Sequence, residues 1–346
     1  MKTPFLALLT LGLSTASLAQ QEATTSDTAR ATINAALSAA LQAQGDEAHA
    51  ALSSLDPADL SETDQVFAAC MMDRLDRRDW SDGLPSDALD DAPQTAAILA
   101  LFRKYWSRTV RDPADRDAHE NALREALREI LDPVPGANPS DTIIAAIEAE
   151  GLQAIAGRTG RLLDLIVWKE QREVTEHVLL QHGIQQVTVN YLDQFPSRGW
   201  SNFLSCDRSG TGGWATKSAL FVITPAYDSL TDEAFQVSYL KHEAQHFSDF
   251  ARLPELAGWE LEYRAKLTEL AFLAEVQQRT LRRFAHNQGD DPADAHSYAN
   301  AKLMAALVTE LGLDSSADLF DVPAHQIQSA ARNIFVEDTA ARSTPS

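Results

Sequence analysis

Tyr239-Leu240-Lys241-His242-Glu243-Ala244-Gln245-His246-Phe247-Ser248-Asp249 is the stretch on which the reading of this chain turns. It contains the pattern His-Glu-x-x-His. On an α-helix, residues four apart share a face and lie about one turn from each other. His242 and His246 can therefore aim two imidazole nitrogens at one point, a geometry that zinc accepts. Glu243 stands about 100° round the helix from His242, where it can take a proton from a water held at such an ion. Stepping about 100° per residue puts Phe235, Tyr239, His246 and Asp249 on the side of His242. Val237, Leu240, Ala244, Phe247 and Ala251 fall on the opposite side. One face reads as core, and the other carries titratable groups.

Two His do not complete a zinc site, which needs a third protein ligand. Pro254 and Gly258 mark a corner between the motif helix and a second helical stretch, from Trp259 to about Phe284. That stretch offers Glu260, Glu262 and Glu269. Glu260 points to the solvated side, near Arg264 and Gln278. Glu262 falls within the apolar face with Glu269 beside it, and a carboxylate there is costly unless paired or metal-bound. His246 is five residues before the corner and Glu262 five after it, so an antiparallel pair brings them face to face. Glu262 is the expected third ligand. Glu269, about 10 Å further along, is expected beside a ligand His or in a buried salt bridge. Asp249 is the remaining alternative. It lies about 10 Å along the axis from His242, and is expected as an acceptor for a His N–H.

His242-Glu243-x-x-His246 followed on the next helix by Glu262-Tyr263-Arg264-Ala265 resembles the gluzincin branch of the zincin metallopeptidases, over residues 185 to 300. The resemblance implies Zn²⁺ held by His242, His246 and Glu262, with Glu243 as general base. It also implies a small β-sheet ahead of the motif helix, whose edge strand pairs with an extended peptide substrate. The spacing from His246 to Glu262 is shorter than in thermolysin-like members.

The rest of the chain is read around this site. Residues 1–19 have the layout of a secretory signal: Lys2, an apolar centre from Phe5 to Leu13, and Ser17-Leu18-Ala19 as a cleavage site. No later apolar stretch is long enough to span a membrane. The chain carries 50 acidic against 29 basic residues, a net charge of −21. That charge disfavours nucleic acid and anionic membranes as partners. Cys70 and Cys206 either pair in an oxidising compartment or stay separate. Ala-rich helices are expected at 27–44, 46–54, 62–77, 91–107 and 115–131. Asp132 to Asp141 reads as a linker, followed by helices 141–150 and 152–182. Period-two alternation from Gln185 predicts a strand. Phe203 to Cys206 is a second candidate strand, and Trp214 to Ile223 a third and the candidate edge. His296 and Tyr298, at the start of a helix that runs to about Leu311, are candidate donors to a developing oxyanion. A last helix spans 323–336, and 338–346 reads as a disordered tail.

The expected protein is thus an α+β, mostly α-helical chain: signal peptide 1–19, helical region 20–135, and zincin-like metallopeptidase domain 140–337. Its expected activity is zinc-dependent hydrolysis of a peptide or protein substrate, in the periplasm or secreted. Two alternatives stand beside it. One is a non-enzymatic exported helical module with a structural or degenerate metal site. The other is a zinc hydrolase acting on a non-peptide amide or ester.

Overall fold

The computed structural model describes residues 24–76, 89–132, 136 and 138–343. The expected signal peptide lies outside the described residues. Among these, no helix is long and apolar enough to cross a membrane. The chain is α+β and mostly helical, with two small sheets.

Among the described residues, six α-helices come first: α1 (Asp27–Leu41), α2 (Gly45–Ser53), α3 (Glu62–Asp76), α4 (Pro93–Arg111), α5 (Arg116–Ile130) and α6 (Pro139–Ala149). Local chemistry starts several of them. The Ser26 side chain accepts from Ala29 N–H at 3.2 Å. Pro93 and Pro139 sit in first turns, where no N–H is needed. Trp106 of α4 is fully buried, and its indole N–H donates to Leu163 O at 2.8 Å. That bond leads into β1 (Gln153–Thr159) and β2 (Leu162–Trp168), an antiparallel pair extended by β5 (Ser197–Arg198). Ile143, Ile147, Leu162, Leu165, Val167, Trp200 and Leu204 pack in the same core as the N-terminal helices. The Asp132–Asp141 stretch, expected as a domain boundary, therefore runs between helices that share one core. Cys70 and Cys206 form a disulfide that ties α3 to the end of α7 (Trp200–Leu204).

The second sheet has strand order β3-β4-β7-β6, from β3 (Glu170–Leu180), β4 (Gly183–Asp193), β6 (Gly213–Ala215) and β7 (Leu220–Ile223). β4 and β7 are parallel, and the other pairs antiparallel. Against this sheet lies a continuous helical run: α8 (Glu233–Phe235), a π-helical segment Gln236–Lys241, and α9 (His242–Arg252). Behind α9 stand α10 (Gly258–Phe272), α11 (Gln277–His286), α12 (Ala295–Leu311) and α13 (Ala324–Ser343), with their own core around Leu267, Leu270, Leu303 and Ile327. The motif helix is thus sandwiched between sheet and helices.

Several expectations are corrected. The helix expected at 152–182 is three strands, β1, β2 and β3. The charges of β3 hide an alternation in which Val174, Glu176, Val178 and Leu180 turn inward, and pairing along all eleven residues of β4 outweighs the helical propensity of Glu, Gln and Arg. Phe203 to Cys206 is the end of α7 and the turn after it, not a strand. Trp214 to Ile223 is a hairpin of two strands: β7 is internal, and only β6 is at the edge. The helix expected from Trp259 to Phe284 breaks after Phe272. There Glu233 accepts the N–H groups of Ala274, Glu275 and Val276 at 2.7 to 3.2 Å, capping the restart of α11. The tail expected to be disordered from 338 continues α13 to Ser343, anchored where Asp338 meets Arg264 and Arg342.

Two consequences for stability follow. The disulfide closes a loop of 136 residues; reduction, or Cys70→Ala with Cys206→Ala, should lower the unfolding free energy by about 2–5 kcal/mol in denaturant melts. Asp249→Ala would leave the buried Arg264 guanidinium short of one carboxylate, at a cost of roughly 3–5 kcal/mol. An unchanged melt in either case would contradict the role given to that bond.

Candidate metal centre and adjoining cleft

The π segment sets the phase of the motif. A widened turn of this kind shifts every residue before it relative to an ideal α-helix. Phe235 and Tyr239, expected on the His242 side, pack instead on the sheet with Leu240 and Ala244. Val237 turns to the helical core behind. His242 and His246 follow the shift and face α10. Their rings sit edge to face with centroids 5.0 Å apart.

Glu262 of α10 meets both. Its Oε2 is 3.6 Å from His242 Nε2, and its Oε1 is 3.4 Å from His246 Nε2. One ligand atom from each of the three residues lies within 4.8 Å of the others. Two ligands bonded at about 2.0–2.1 Å to a tetrahedral ion stand roughly 3.3 Å apart, so two imidazoles and a carboxylate at these separations fit a zinc-sized ion. The Nδ1 atoms of both His are buried without a hydrogen-bond partner. Glu269 stands behind His242, with Oε2 3.5 Å from Nδ1, while its Oε1 accepts from Arg283 at 3.0 Å. Glu269 thus stands beside the candidate ligand His242, and its expected buried salt bridge is an ion pair with Arg283, whose side chain is mostly exposed.

Asp249 is placed differently from its expectation. It is buried, but its carboxylate accepts from Gln245 Nε2 at 2.9 Å and Arg264 Nε at 3.0 Å, and no contact with either motif His is present among the described residues. Gln245 in turn accepts from Thr268 at 3.0 Å. Gln245 and Asp249 of α9 thus grip Arg264 and Thr268 of α10, which holds His246 opposite Glu262. Arg264 reaches on to Asp338 and Thr339 of α13. Glu260, read as solvated, accepts from Arg342 at 2.8 Å.

His296 comes to the centre: its Nδ1 is 2.9 Å from Glu262 Oε2, with two-thirds of the side chain exposed. Tyr298 does not share that contact. Its ring packs edge to face on Trp259 at 5.1 Å and under Lys302 at 4.9 Å. Lys266, one turn after Glu262 and not singled out from the sequence, adds an ammonium contact to Oε2 at 3.1 Å. Its spacing of four from Glu262 was a visible signal.

Glu243 opens on the other side into a cavity of about 350 Å³. Gly212 and Gly213 at the edge strand line it, with Tyr227, Ser238, Tyr239, Arg279 and Arg283. The glycines are required by close approach. A Cβ on Gly213 would sit 2.2 Å from Phe221 O, and one on Gly212 2.4 Å from the Tyr227 hydroxyl. Tyr227 was also missed; its only sequence mark is an aromatic directly after the Thr224–Ala226 turn ahead of the motif helix. Burial, then the Glu243 charge, pushes the phenols of Tyr227 and Tyr239 upward, so both keep their protons at neutral pH.

The titrations follow from the same contacts. Burial alone would depress His242, but Glu262 and Glu269 outweigh it and hold the imidazole up at about 9. Burial would raise Glu262, yet His242, His246 and His296 hold it well below the usual carboxylate range. The sign is then fixed. In metal-free protein the His242 contribution to stability is complete below about pH 6.5 and is lost as the pH rises through about 9. An ion competes with that proton. Zinc affinity should rise with pH across this window, with on the order of one proton released per ion near pH 7. Calorimetric titration in two buffers of different ionisation enthalpy measures this, and binding with no proton release would contradict the assignment.

No protein-family model, no curated protein and no solved structure matches this chain. Its candidate centre is defined by its own geometry: two imidazoles and a carboxylate converging on one point, with a second carboxylate, Glu243, on the adjoining cleft.

Proposed function

We propose that this chain is an exported, zinc-dependent metallopeptidase of zincin-like, gluzincin type. The observation that carries the reading is the convergence of His242, His246 and Glu262 beside a cleft shared by Glu243 and the edge strand β6. His242, His246 and Glu262 would hold the ion. When bound, zinc supplies a Lewis acid that polarises a carbonyl and acidifies water. Glu243 takes the proton from the attacking water and returns it to the leaving amine nitrogen. Tyr227, a protonated phenol in the same cleft, and His296, on the ligand carboxylate, are the candidate donors to the developing oxyanion.

The edge strand supports a peptide as substrate. β6 pairs with β7 on one side only, and an extended chain can add to a free strand edge through backbone hydrogen bonds. The Cys70–Cys206 disulfide supports export, because such bonds persist in oxidising compartments such as the periplasm or the extracellular space.

One observation favours a second reading. With His296 2.9 Å from Glu262 Oε2, a fourth protein ligand is near, and a closed four-ligand shell is the mark of a structural site. That would suit a binding module rather than an enzyme. A non-peptide amide or ester remains the alternative substrate for the same machinery.

Elemental analysis of purified protein should find about one zinc per chain, lost in His246→Ala and in Glu262→Ala. Glu243→Gln should keep the metal and lose on the order of 10²–10⁴-fold in peptide hydrolysis. A zinc-loaded Glu243→Gln protein cleaving at the wild-type rate would sink the mechanism. A zinc shell without exchangeable water, together with no hydrolysis, would favour the structural site.

A further inference from the structure

A second cavity, of about 210 Å³, lies where the N-terminal helices meet the β5–α7 link. Arg74 of α3, Arg103 of α4 and Arg198 of β5 line it, with Phe203 and Asp207. It belongs to the first core and shares no residue with the Glu243 cleft.

Among the described residues lining it, three guanidinium groups stand with one carboxylate. Asp207 is the one carboxylate lining the cavity among the described residues, and its Oδ1 accepts from Arg198 Nη2 at 2.6 Å. Among the described residues, the hydrogen bonds of the Arg74 and Arg103 guanidinium groups go to backbone oxygens, while Asp207 and Asp73 act on Arg74 only through their charge. Arg74 Nη1 donates to Phe203 O at 2.6 Å, and Arg103 Nη2 to Pro196 O at 3.2 Å. Both guanidinium groups lean on the Phe203 ring, with Cζ 4.2 and 5.6 Å from its centroid. Arg103 Nε is buried and has no hydrogen-bond partner. A buried orphan donor costs about 1–3 kcal/mol, more when it is charged. Burial, then the neighbouring Arg74, pushes the Arg103 guanidinium down to about 10. In a chain with far more acidic than basic residues, three guanidinium groups gathered at one cavity, with Asp207 as the one carboxylate lining it among the described residues, leave room for an anion to join them.

We infer that the Arg74–Arg103–Arg198 cavity binds a compact oxyanion, a phosphate or a carboxylate, whose oxygens take the unpaired guanidinium donors. Planar guanidinium forks match both anions. The ligand would bridge α3 and α4 to the β5–α7 link. Cys70 is one turn before Arg74 and Cys206 adjoins Asp207, so the anion and the disulfide close the same junction.

The test is thermal unfolding of the metal-free full chain at constant ionic strength. Sodium phosphate and sodium succinate are each exchanged against sodium chloride. Wild type should show a saturable rise of about 5 °C with one of the two anions, and the one effective at lower concentration identifies the source. Arg103→Gln and Arg74→Gln should each weaken the apparent affinity at least tenfold, while Arg279→Gln, in the other cleft, leaves it unchanged. In chloride alone, Arg103→Gln should unfold at or above the wild-type temperature, because it removes a partly buried charge whose Nε has no hydrogen-bond partner. Calorimetric titration of wild type with the same anions gives a readout independent of the variants, and one site per chain is expected. No anion-specific shift and no saturable heat would overturn the inference, as would an equal shift in Arg103→Gln.

Discussion

Three carboxylates buried between two helices are the constraint on which this structure depends. Asp249, Glu262 and Glu269 sit at the α9–α10 interface with side chains 1%, 13% and 1% exposed. None can stay ionised there without a cationic or hydrogen-bonding partner. Asp249 takes Arg264 and Gln245, Glu269 takes Arg283 and His242, and Glu262 takes Lys266, His296 and both motif histidines. These pairings admit one axial register between the helices. Sliding α10 by a turn would strand Arg264 and separate Glu262 from the imidazoles. The Asp249–Arg264 grip therefore does structural work for a site to which neither residue belongs.

The sheet supplies the other wall. The motif helix carries Phe235, Tyr239, Leu240 and Ala244 onto β4 and β7, and the π segment lets the same run turn His242 and His246 to the opposite side. Without the extra residue in that turn, the aromatic pair and the imidazoles would compete for one face. The Gly212–Gly213 pair then brings the edge strand against Tyr227 and Tyr239, so that Glu243 looks into a cleft bounded by a strand edge on one side and α11 on the other.

The N-terminal half packs around its own core together with β1, β2 and α7. Its core runs from α1 through β2 to α7, across the Pro- and Gly-containing stretch that reads in sequence as a boundary. Trp106 and the Cys70–Cys206 bond fasten it from inside and from the rim. A Pro-rich stretch marks where helices must stop, but a domain boundary also needs two separate cores, and that depends on contacts distant in sequence.

Residues whose partners lie within a turn or two of helix were legible from the sequence alone. His242 and His246 share a face because of helical spacing, and Glu262 faces His246 because a short corner makes the two helices antiparallel. The six N-terminal helices lie within a few residues of where composition and proline placement put them. What only the tertiary structure decided depends on partners far along the chain. β3 became a strand because β4 pairs with all of it. Asp249 turned from the histidines because Arg264 was nearer. The π segment rotated Phe235 and Tyr239 onto the sheet, and Tyr227 and the α11 residues Arg279 and Arg283 came to line one cleft with Glu243. Helical phase and local capping act through neighbours in sequence, whereas strand pairing, buried ion pairs and cleft walls depend on which surfaces meet when the chain closes.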